Sequence, residues 1–389
     1  MSNTIKWLWL TTKRGLNSIK ISYLIEKYGN INNIYSRTDY DVPHLTKADR
    51  EALSDKSLDA AERTYSDICS CGARILTCDN KYYPTSLRNI RPMPYVLYIR
   101  GNAIDMENMF GIGVVGTRIH TDYGAYYASG ISYDLARNGV IIVSGMAKGI
   151  DSIAMKAALR AGARTIGVLG CGIDQIYPES NRWLFEEVLE NGMIISEYPP
   201  GALPLRGHFP QRNRIIAGLS RGILVVEGSK NSGSLITAKF AEEYNRDIFA
   251  VPRSIGAKNA KGIPMDGTNH LIQSGAKLVM NAGDILNEYG IPFKKTSKRE
   301  TAPVEKEEKI KPPVQPPVKK LDIDSLLERA SSDLQKEVIR LIGDKSLYAD
   351  EIVQGLDAET SAIGTTLTMM ETFRLIQRQP DGRYKLNDQ

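Results

Sequence analysis

The sequence predicts an α/β protein whose main body is a mostly parallel β-sheet covered by helices on both faces. From residue 95 onward, short apolar runs rich in β-branched residues alternate with stretches of helical periodicity. This alternation is typical of a parallel sheet that is buried on both sides. The predicted strands are Val96–Ile99, Ile112–Val115, Val140–Val143, Thr165–Leu169, Met193–Ser196, Ile223–Val226, Ile248–Val251 and Lys277–Met280. The predicted helices cover residues 121–137, 150–161, 180–190, 210–219, 233–245 and 267–274.

The segment before this body predicts a small helical domain, which we place at residues 1–66. A helical pattern through Leu24 and Ile25 ends at Gly29, and glycine is the usual residue just past a helix end. Residues 46–64 predict one or two further helices. The sheet-containing domain is then expected to cover residues 67–293.

A linker and a second small domain follow the body. Residues 294–320 combine lysine and glutamate with five prolines and contain almost no core-forming side chains, a composition typical of an extended tether. Helices are predicted near 333–343, 348–355 and 360–374, followed by a hairpin over Gln377–Leu386 that turns at Asp381-Gly382. Three helices and a hairpin predict a winged-helix domain at residues 321–389.

The composition argues against several classes of protein. The apolar run at Trp7–Leu10 is far shorter than a signal peptide or a membrane span, and no later run approaches the roughly 18 apolar residues of a spanning helix. Four cysteines do not make a disulfide framework in a chain of 389 residues, and the spacing of Cys69, Cys71 and Cys78 is poor for zinc. We therefore predict a cytoplasmic protein without a membrane span, a metal site or a cofactor.

The charge is unevenly distributed along the chain. The net charge is +5, but residues 101–293 hold 18 basic and 18 acidic side chains, so polyanion binding there must depend on a local patch. Residues 321–389 hold 8 basic and 13 acidic side chains. This acidic excess argues against strong independent DNA binding by the last domain.

A glycine motif typical of dinucleotide binding occurs in the wrong position. Gly111, Gly113 and Gly116 match G-x-G-x-x-G, but the first two glycines fall inside a predicted strand. In a dinucleotide fold the glycines follow the strand, and an acidic residue ends a strand about 20 positions later. The sequence therefore does not favour a nicotinamide or flavin site.

Three loops at predicted strand ends could bind phosphate. Arg118 follows the second strand, Ser144, Gly145 and Lys148 follow the third, and Gly172 follows the fourth. Small residues let backbone amides approach a ligand, and each loop leads toward a helix N-terminus, which favours anions. The alternative is that the glycines merely allow tight turns between strand and helix. Together with the two cations, the three loops favour an anion-binding ledge.

The strongest candidate stretch is arginine-rich. No acidic residue lies between Glu197 and Glu227, whereas four arginines do. An aromatic ring beside arginines is typical of single-strand binding, in which bases stack and phosphates are held. The candidate residues in this stretch are Arg206, Phe209, Arg212, Asn213 and Arg214.

Each of these residues has an alternative structural interpretation. Phe209 could be an ordinary core residue at a helix start. Arg212 or Arg214 could form an internal ion pair with Glu197 or Glu227. Ser232 and Ser234 lie at a further helix start, where serine binds phosphate or simply caps the helix.

Catalysis is weakly supported. The four histidines lie outside recognisable nucleophile or metal motifs, and neither a P-loop nor a G-x-S-x-G elbow occurs. Four carboxylates near predicted strand ends leave a paired-carboxylate hydrolase open as an alternative; they are Asp151, Asp174, Glu197 and Glu227. We predict that the protein is not an enzyme.

These motifs resemble those of the DNA processing protein A family, also called DprA or Smf. They occur in family order over about 180 residues of the sequence. The matching segments are Val115–Arg118, Ser144–Asp151, Val168–Asp174, Tyr177-Pro178, Ser196–Gly201, Phe209–Gly218, Val226-Glu227, Ser232–Ala238 and Gly267–Asn269.

The resemblance implies an extended Rossmann-like core that dimerises, binds and protects single-stranded DNA and loads the RecA recombinase during natural transformation. Single-strand binding protein is a further candidate partner. By resemblance, Arg118 would hold phosphate, with Ser144, Gly145 and Lys148 beside it. Phe209 would stack on a base, Arg206 would contact the strand, and Arg212, Asn213 and Arg214 would shape the pocket. The helices before the core resemble SAM-like or helix-hairpin-helix units.

Two positions depart from the family pattern. Met155 stands where the family often has histidine, which weakens a catalytic interpretation. Arg253 stands where the family usually has glycine, so this loop is either rebuilt or supplied with an extra cation. The alternative function is that of a nucleotide hydrolase of the phosphoribohydrolase type, although its Pro-Gly-Gly-x-Gly-Thr loop is absent from this sequence.

Overall fold

A computed structural model describes residues 2–294, 323–343, 345–356, 358–373, 375–378 and 383–387. The chain divides into two compact units, residues 1–300 and residues 301–389. The predicted linker at 294–320 lies outside the described residues from position 295 onward, and so does the predicted turn at Asp381-Gly382.

The first unit contains a nine-stranded sheet with helices around it. Its strands are β1 (Arg74–Thr77), β2 (Val96–Gly101), β3 (Gly111–Val115), β4 (Ile141–Ser144), β5 (Thr165–Gly172), β6 (Met193–Tyr198), β7 (Gly222–Val225), β8 (Asp247–Ala250) and β9 (Lys277–Leu278). Its helices are α1 (Asn3–Thr12), α2 (Ser18–Tyr28), α3 (Ile31–Ser36), α4 (Lys47–Ser54), α5 (Asp59–Ser70), α6 (Thr85–Arg88), α7 (Asp122–Arg137), α8 (Ile150–Arg160), α9 (Arg182–Asn191), α10 (His208–Leu219), α11 (Gly233–Glu243), α12 (Gly267–Gln273) and α13 (Ala282–Leu286). Short 3₁₀ turns cover Glu179–Asn181 and Asn287–Tyr289.

The strand order is β1-β2-β6-β5-β4-β3-β7-β8-β9. The pairs β1–β2 and β2–β6 are antiparallel, and every other neighbouring pair is parallel. The expectation of a mostly parallel sheet with helices alongside it is therefore confirmed. Each predicted strand and helix of this sheet is found, with ends shifted by a few residues.

Different helices cover the two faces of the sheet. Their positions show where the chain stops adding strands on one side of β3 and starts adding them on the other. Leu135 of α7 and Ala154 of α8 pack with Ile112 and Leu224 on one face, whereas Ile216 of α10 packs on the other. The chain builds outward from β3 through β4, β5 and β6, and then returns over this second face to place β7 beside β3. The carboxyl ends of β3 and β7 are therefore the topological switch point, the usual position of a ligand in such sheets.

The N-terminal helices share a hydrophobic cluster with the sheet. Trp7 and Leu8 of α1 belong to the same buried cluster as Leu169 of β5 and Ile194 of β6. The Trp7 ring also stacks on Tyr95, with ring centroids 5.5 Å apart. The predicted boundary at residue 66 and the SAM-like or helix-hairpin-helix assignment stay predictions.

The second unit contains four helices and a two-stranded antiparallel sheet in its described residues. The elements are α14 (Ile323–Arg329), α15 (Asp333–Ile342), α16 (Ala349–Gly355), α17 (Thr360–Thr372), β10 (Ile376–Arg378) and β11 (Tyr384–Leu386). Val338, Ile352, Ile363 and Leu386 belong to one buried cluster that joins the helices to the sheet. The predicted helices and strands of the tail thus lie near their expected positions, whereas the winged-helix assignment stays a prediction.

Candidate nucleic-acid interface

A cavity of about 240 Å³ lies at the carboxyl ends of β3, β4 and β5. Helix α10 follows β6 and packs across β5, which brings its first turns over the loops that follow these strands. Five predicted site residues line the cavity together with three others; the eight are Arg118, Gly145, Ala147, Lys148, Tyr177, Pro178, Phe209 and Arg212.

Two of the three basic side chains that line the cavity, Arg118 and Lys148, are exposed, whereas the third, Arg212, is buried. Arg118 lies in the loop after β3 and Lys148 in the loop after β4, and both side chains reach solvent. Arg212 is instead 5% exposed, and its Nη1 donates hydrogen bonds to the carbonyl oxygens of Gly145, at 2.7 Å, and Val168. Arg118 and Lys148 are therefore the two that a phosphate group can reach, whereas Arg212 ties α10 to the ends of β4 and β5.

Aromatic rings form the apolar part of the wall. Phe209 is half-buried, with its ring centroid 5.2 Å from that of Tyr177 and the two planes inclined by 33°. The Arg118 guanidinium lies 5.7 Å from the Phe209 centroid. Gly170 makes room for Phe209, because a Cβ atom at Gly170 would lie 2.8 Å from the ring. The cavity thus combines a partly exposed ring with cations at its edge, which suits stacking of a base beside a held phosphate.

A buried carboxylate occupies the centre of the predicted anion ledge, and this corrects the expectation. Asp151 accepts a hydrogen bond from the Gly145 amide at 3.1 Å. Burial raises the pKa of the Asp151 carboxyl above its usual value, while Arg212 and the backbone amides of Gly145, Ala147 and Gly116 act in the opposite direction. These amides interact with an internal carboxyl group, so binding of an external phosphate depends on side-chain cations.

Two further ledge residues also serve the fold. The Ser144 hydroxyl donates to the Val114 carbonyl oxygen at 2.6 Å and is fully buried, and the Gly172 amide donates to the Ala202 carbonyl oxygen at 2.8 Å. Neither residue lines the cavity. Gly149 has φ of 83°, and a Cβ atom there would lie 2.4 Å from the Thr117 carbonyl oxygen. This glycine lets the loop after β4 lie directly against the loop after β3.

Arg214 lies away from the cavity, which is a second correction. Its Nη2 donates to both carboxylate oxygens of Glu197, at 2.7 and 2.8 Å, and the arginine is 3% exposed. The open alternative of an internal ion pair with Glu197 is thus what the structure has. Arg212 and Arg214 are two positions apart on α10, so about 200° of rotation separates their side chains.

The remaining predicted residues do not line the cavity. Arg206 is exposed in the turn before α10, and the Asn213 amide donates to the Gly233 carbonyl oxygen at 3.2 Å. The hydroxyls of Ser232 and Ser234 lie 2.6 Å apart at the start of α11, and Ser234 is buried. Asn213 therefore links α10 to α11.

A buried ion pair between Glu227 and Arg253 lies at the topological switch point, where β7 ends. Glu227 follows β7 with 0% exposure, and it accepts hydrogen bonds from the Thr121 amide and hydroxyl, both at 2.9 Å. The Arg253 guanidinium lies 3.2 Å from the same carboxylate and 4.5 Å from the Tyr123 ring centroid. Arg253 therefore supplies a cation in this loop that neutralises a buried carboxylate, and it does not line the candidate cavity.

The four carboxylates of the hydrolase alternative all have structural partners. Asp151 bonds to Gly145, Glu197 to Arg214, and Glu227 to Thr121 and Arg253. Asp174 accepts from the Gly201 amide at 2.9 Å and from the Gln175 side chain at 2.8 Å.

Among the described residues, no three His, Cys, Asp or Glu side chains are grouped to hold a metal ion. No helix in the same residues has the length and apolar character to cross a bilayer.

Sequence reasoning did not assign a site role to Tyr177 and Pro178, which line the cavity. The available signal was their position: Tyr177-Pro178 follows the loop after β5, which is one of the three loops at the cavity. An aromatic residue in such a loop can reach a ring at the start of the returning helix.

Comparisons with known proteins find relatives over the part of the chain that contains this site. A sequence model of the family described as DNA recombination-mediator protein A matches residues 74–290. Protein Smf from Synechocystis is 46% identical over 220 residues, which cover 56% of this chain and 54% of that protein. DNA processing protein DprA from Streptococcus pneumoniae is 45% identical over 207 residues, which cover 53% of this chain and 71% of that protein. The chain therefore spans about half the length of the Synechocystis relative.

Two solved structures share the fold. The X-ray structure of DNA processing protein A from Streptococcus pneumoniae has a TM-score of 0.60 and 34% identity, and covers 76% of this chain and 99% of that one. DNA processing protein A from Helicobacter pylori, whose structure addresses its single-stranded DNA binding mode, has a TM-score of 0.50 and 31% identity. That match covers 56% of this chain and 95% of the other.

Proposed function

The chain belongs to the DNA recombination-mediator protein A family, and on that basis we propose that it binds single-stranded DNA at the cavity beside Phe209. The observation that carries the proposal is the juxtaposition of two rings, Phe209 and Tyr177, with two exposed cations, Arg118 and Lys148. An unpaired base can enter such a cavity because its faces are free, whereas the bases of a duplex are stacked on one another. The site is therefore proposed to distinguish single strands from duplex.

A binding comparison tests this function. Fluorescence anisotropy with labelled oligo(dT), a duplex of the same length and thymidine monophosphate separates the possibilities. We expect oligo(dT) to bind with strong salt dependence, and to bind more tightly than duplex. Tight binding of the mononucleotide with release of its base would instead support the hydrolase alternative.

Loss of the Phe209 ring gives a specific prediction. We expect Phe209→Ala to weaken oligo(dT) binding by about 1–3 kcal/mol, because one stacked base loses its partner. Phe209→Tyr keeps the ring and serves as the matched control, and we expect it to bind like the wild type. Thermal melting checks folding in parallel. A folded alanine variant with wild-type affinity would remove Phe209 from the site.

We further propose that the protein protects incoming strands, delivers them to RecA and acts as a homodimer through the Rossmann-like domain. The family description as a recombination mediator supports the delivery step. Strand exchange by RecA on DNA coated with single-strand binding protein measures delivery, and light scattering measures the dimer. If RecA acts equally well with and without this protein, the delivery proposal is wrong.

A further inference from the structure

A second and larger cavity, of about 380 Å³, lies on the other side of α10. It is bounded by α2 and the turn before it, by the end of β6 and by α10, and its volume falls within the range of small-molecule sites. Its mouth is open, since Asn17, Ile19 and Gln211 are exposed. The cavity shares no lining residue with the site described above, and part of its wall is formed by the core residues Ile21, Tyr95 and Val96.

Arg214 lines this cavity and has two side-chain nitrogens without a hydrogen-bond partner in the described part of the chain. Arg214 is 3% exposed, and its Nε and Nη1 are buried without a partner among the residues that the structure describes. The third nitrogen, Nη2, is taken by Glu197, whose Oε1 also accepts from the Ser18 hydroxyl at 3.1 Å. A buried donor without an acceptor costs free energy, so a ligand that supplies an acceptor is favoured.

The charge and shape of the cavity narrow the chemistry of that ligand. Glu197 neutralises Arg214, so the site favours an uncharged acceptor such as a carbonyl oxygen over a phosphate. Three aromatic side chains, Tyr95, Tyr198 and Phe240, contribute to the walls. A planar ring that carries a carbonyl group matches both features, and thymine, cytosine and guanine are such rings.

The geometry of α10 connects this cavity to the first site. Phe209 and Arg212 line the first cavity, whereas Gln211 and Arg214 line the second, so the two open on different sides of the same helix. At their junction the His208 ring stacks on Tyr198, with centroids 4.0 Å apart. A helix with its side chains is about 10–12 Å wide, a span that a few nucleotides cross. Arg206 is exposed in the turn just before this helix, beside such a path.

We propose that this second cavity accepts a nucleobase, whose carbonyl oxygen binds the free donors of Arg214. The base is proposed to belong to the strand that also occupies the cavity at Phe209. This inference rests on the proposed function. In this arrangement Arg206 would contact a phosphate of the strand between the two base sites.

Blocking the mouth of the cavity tests the inference. Ile19→Trp places a bulky indole ring at a position that is 51% exposed and leaves Arg214 and Glu197 unchanged. We expect it to weaken binding of an oligo(dT) of about twelve nucleotides by about tenfold, while a thymidine dinucleotide, too short to cross α10, binds as before. Tyr65→Trp, at a 43% exposed position on α5 outside the cavity wall, is the matched control. We expect it to bind both probes like the wild type.

A second variant tests the donors themselves. Arg214→Lys keeps a cation for Glu197 and removes Nε and Nη1, and we expect it to reproduce the length-dependent loss. Thymidine monophosphate identifies the source of the base. If the mononucleotide binds weakly and Ile19→Trp does not alter that binding, the base in the second cavity belongs to the bound strand. If Ile19→Trp abolishes mononucleotide binding, the second cavity is a base site that a free nucleotide fills.

The inference is overturned if both variants, folded by circular dichroism, bind the long oligonucleotide and the mononucleotide like the wild type. The proposed function would survive that result, because it depends on the effects of Phe209 and the exposed cations. It would fail separately if the wild-type protein did not bind oligo(dT).

Discussion

Replacing both Arg118 and Lys148 by alanine is expected to lower the affinity for oligo(dT) about 25-fold at about 0.1 M salt. Each phosphate contact contributes about 0.7 to the slope of log affinity against log salt concentration for single strands. Removing two contacts lowers this slope by about 1.4. With equal affinities taken at about 1 M salt, this difference in slope makes the variant bind about 25-fold more weakly at about 0.1 M. Both side chains are exposed, so the double variant should fold normally. Anisotropy titrations at several salt concentrations measure affinity and slope together.

A charge-matched control separates local contact from general attraction. Lys47 and Arg63 are exposed cations on α4 and α5, outside the wall of the cavity. Replacing both by alanine removes the same net charge, and we expect the slope to stay near the wild-type value. Equal losses in the two double variants would mean that the strand binds by net charge alone, without the proposed site.

Replacing Arg253 by methionine is expected to lower the free energy of unfolding by about 3–5 kcal/mol. The guanidinium neutralises Glu227, which has 0% exposure, and removing it leaves a buried carboxylate that keeps its hydrogen bonds from Thr121 but has lost its cation. Methionine keeps an unbranched apolar stem against Tyr123, so the loss reports the charge more than the packing. Urea denaturation monitored by circular dichroism measures the change.

The double variant with Glu227→Gln gives the internal check. A neutral amide at position 227 no longer needs a cation, so this double variant should be more stable than Arg253→Met alone. A loss below about 1 kcal/mol for Arg253→Met would place the pair among weak surface interactions and contradict its structural role.

Much of the fold follows from periodicity in the sequence. The strands β2 to β9 are mostly apolar runs, most of them separated by helices of clear period, so their existence and a mostly parallel sheet could be predicted, whereas the order of the strands in the sheet was not. Six elements were not predicted, namely α1, α3, α6, α13, α14 and β1. In α1 the consecutive buried residues Trp7–Leu10 obscure helical spacing, and β1 has four residues with its first side chain exposed.

The site was partly predictable for a similar reason. The rule that ligands bind beyond the carboxyl ends of parallel strands located Arg118 and Lys148, and the arginine-rich stretch located Phe209. Helical rotation separates Arg214 from Arg212, and this was foreseeable from their spacing of two. The use of the loop amides by Asp151 was not foreseeable, because it depends on how closely the loops after β3 and β4 approach each other.

Ultraviolet cross-linking of oligo(dT) to the intact protein, followed by peptide mass spectrometry, tests the central claim most directly. The account predicts thymine adducts on peptides that contain Tyr177 or Phe209, and their loss when Arg118 and Lys148 are both replaced by alanine. Efficient cross-linking confined to residues outside the cavity, with neither of those peptides modified, would contradict it.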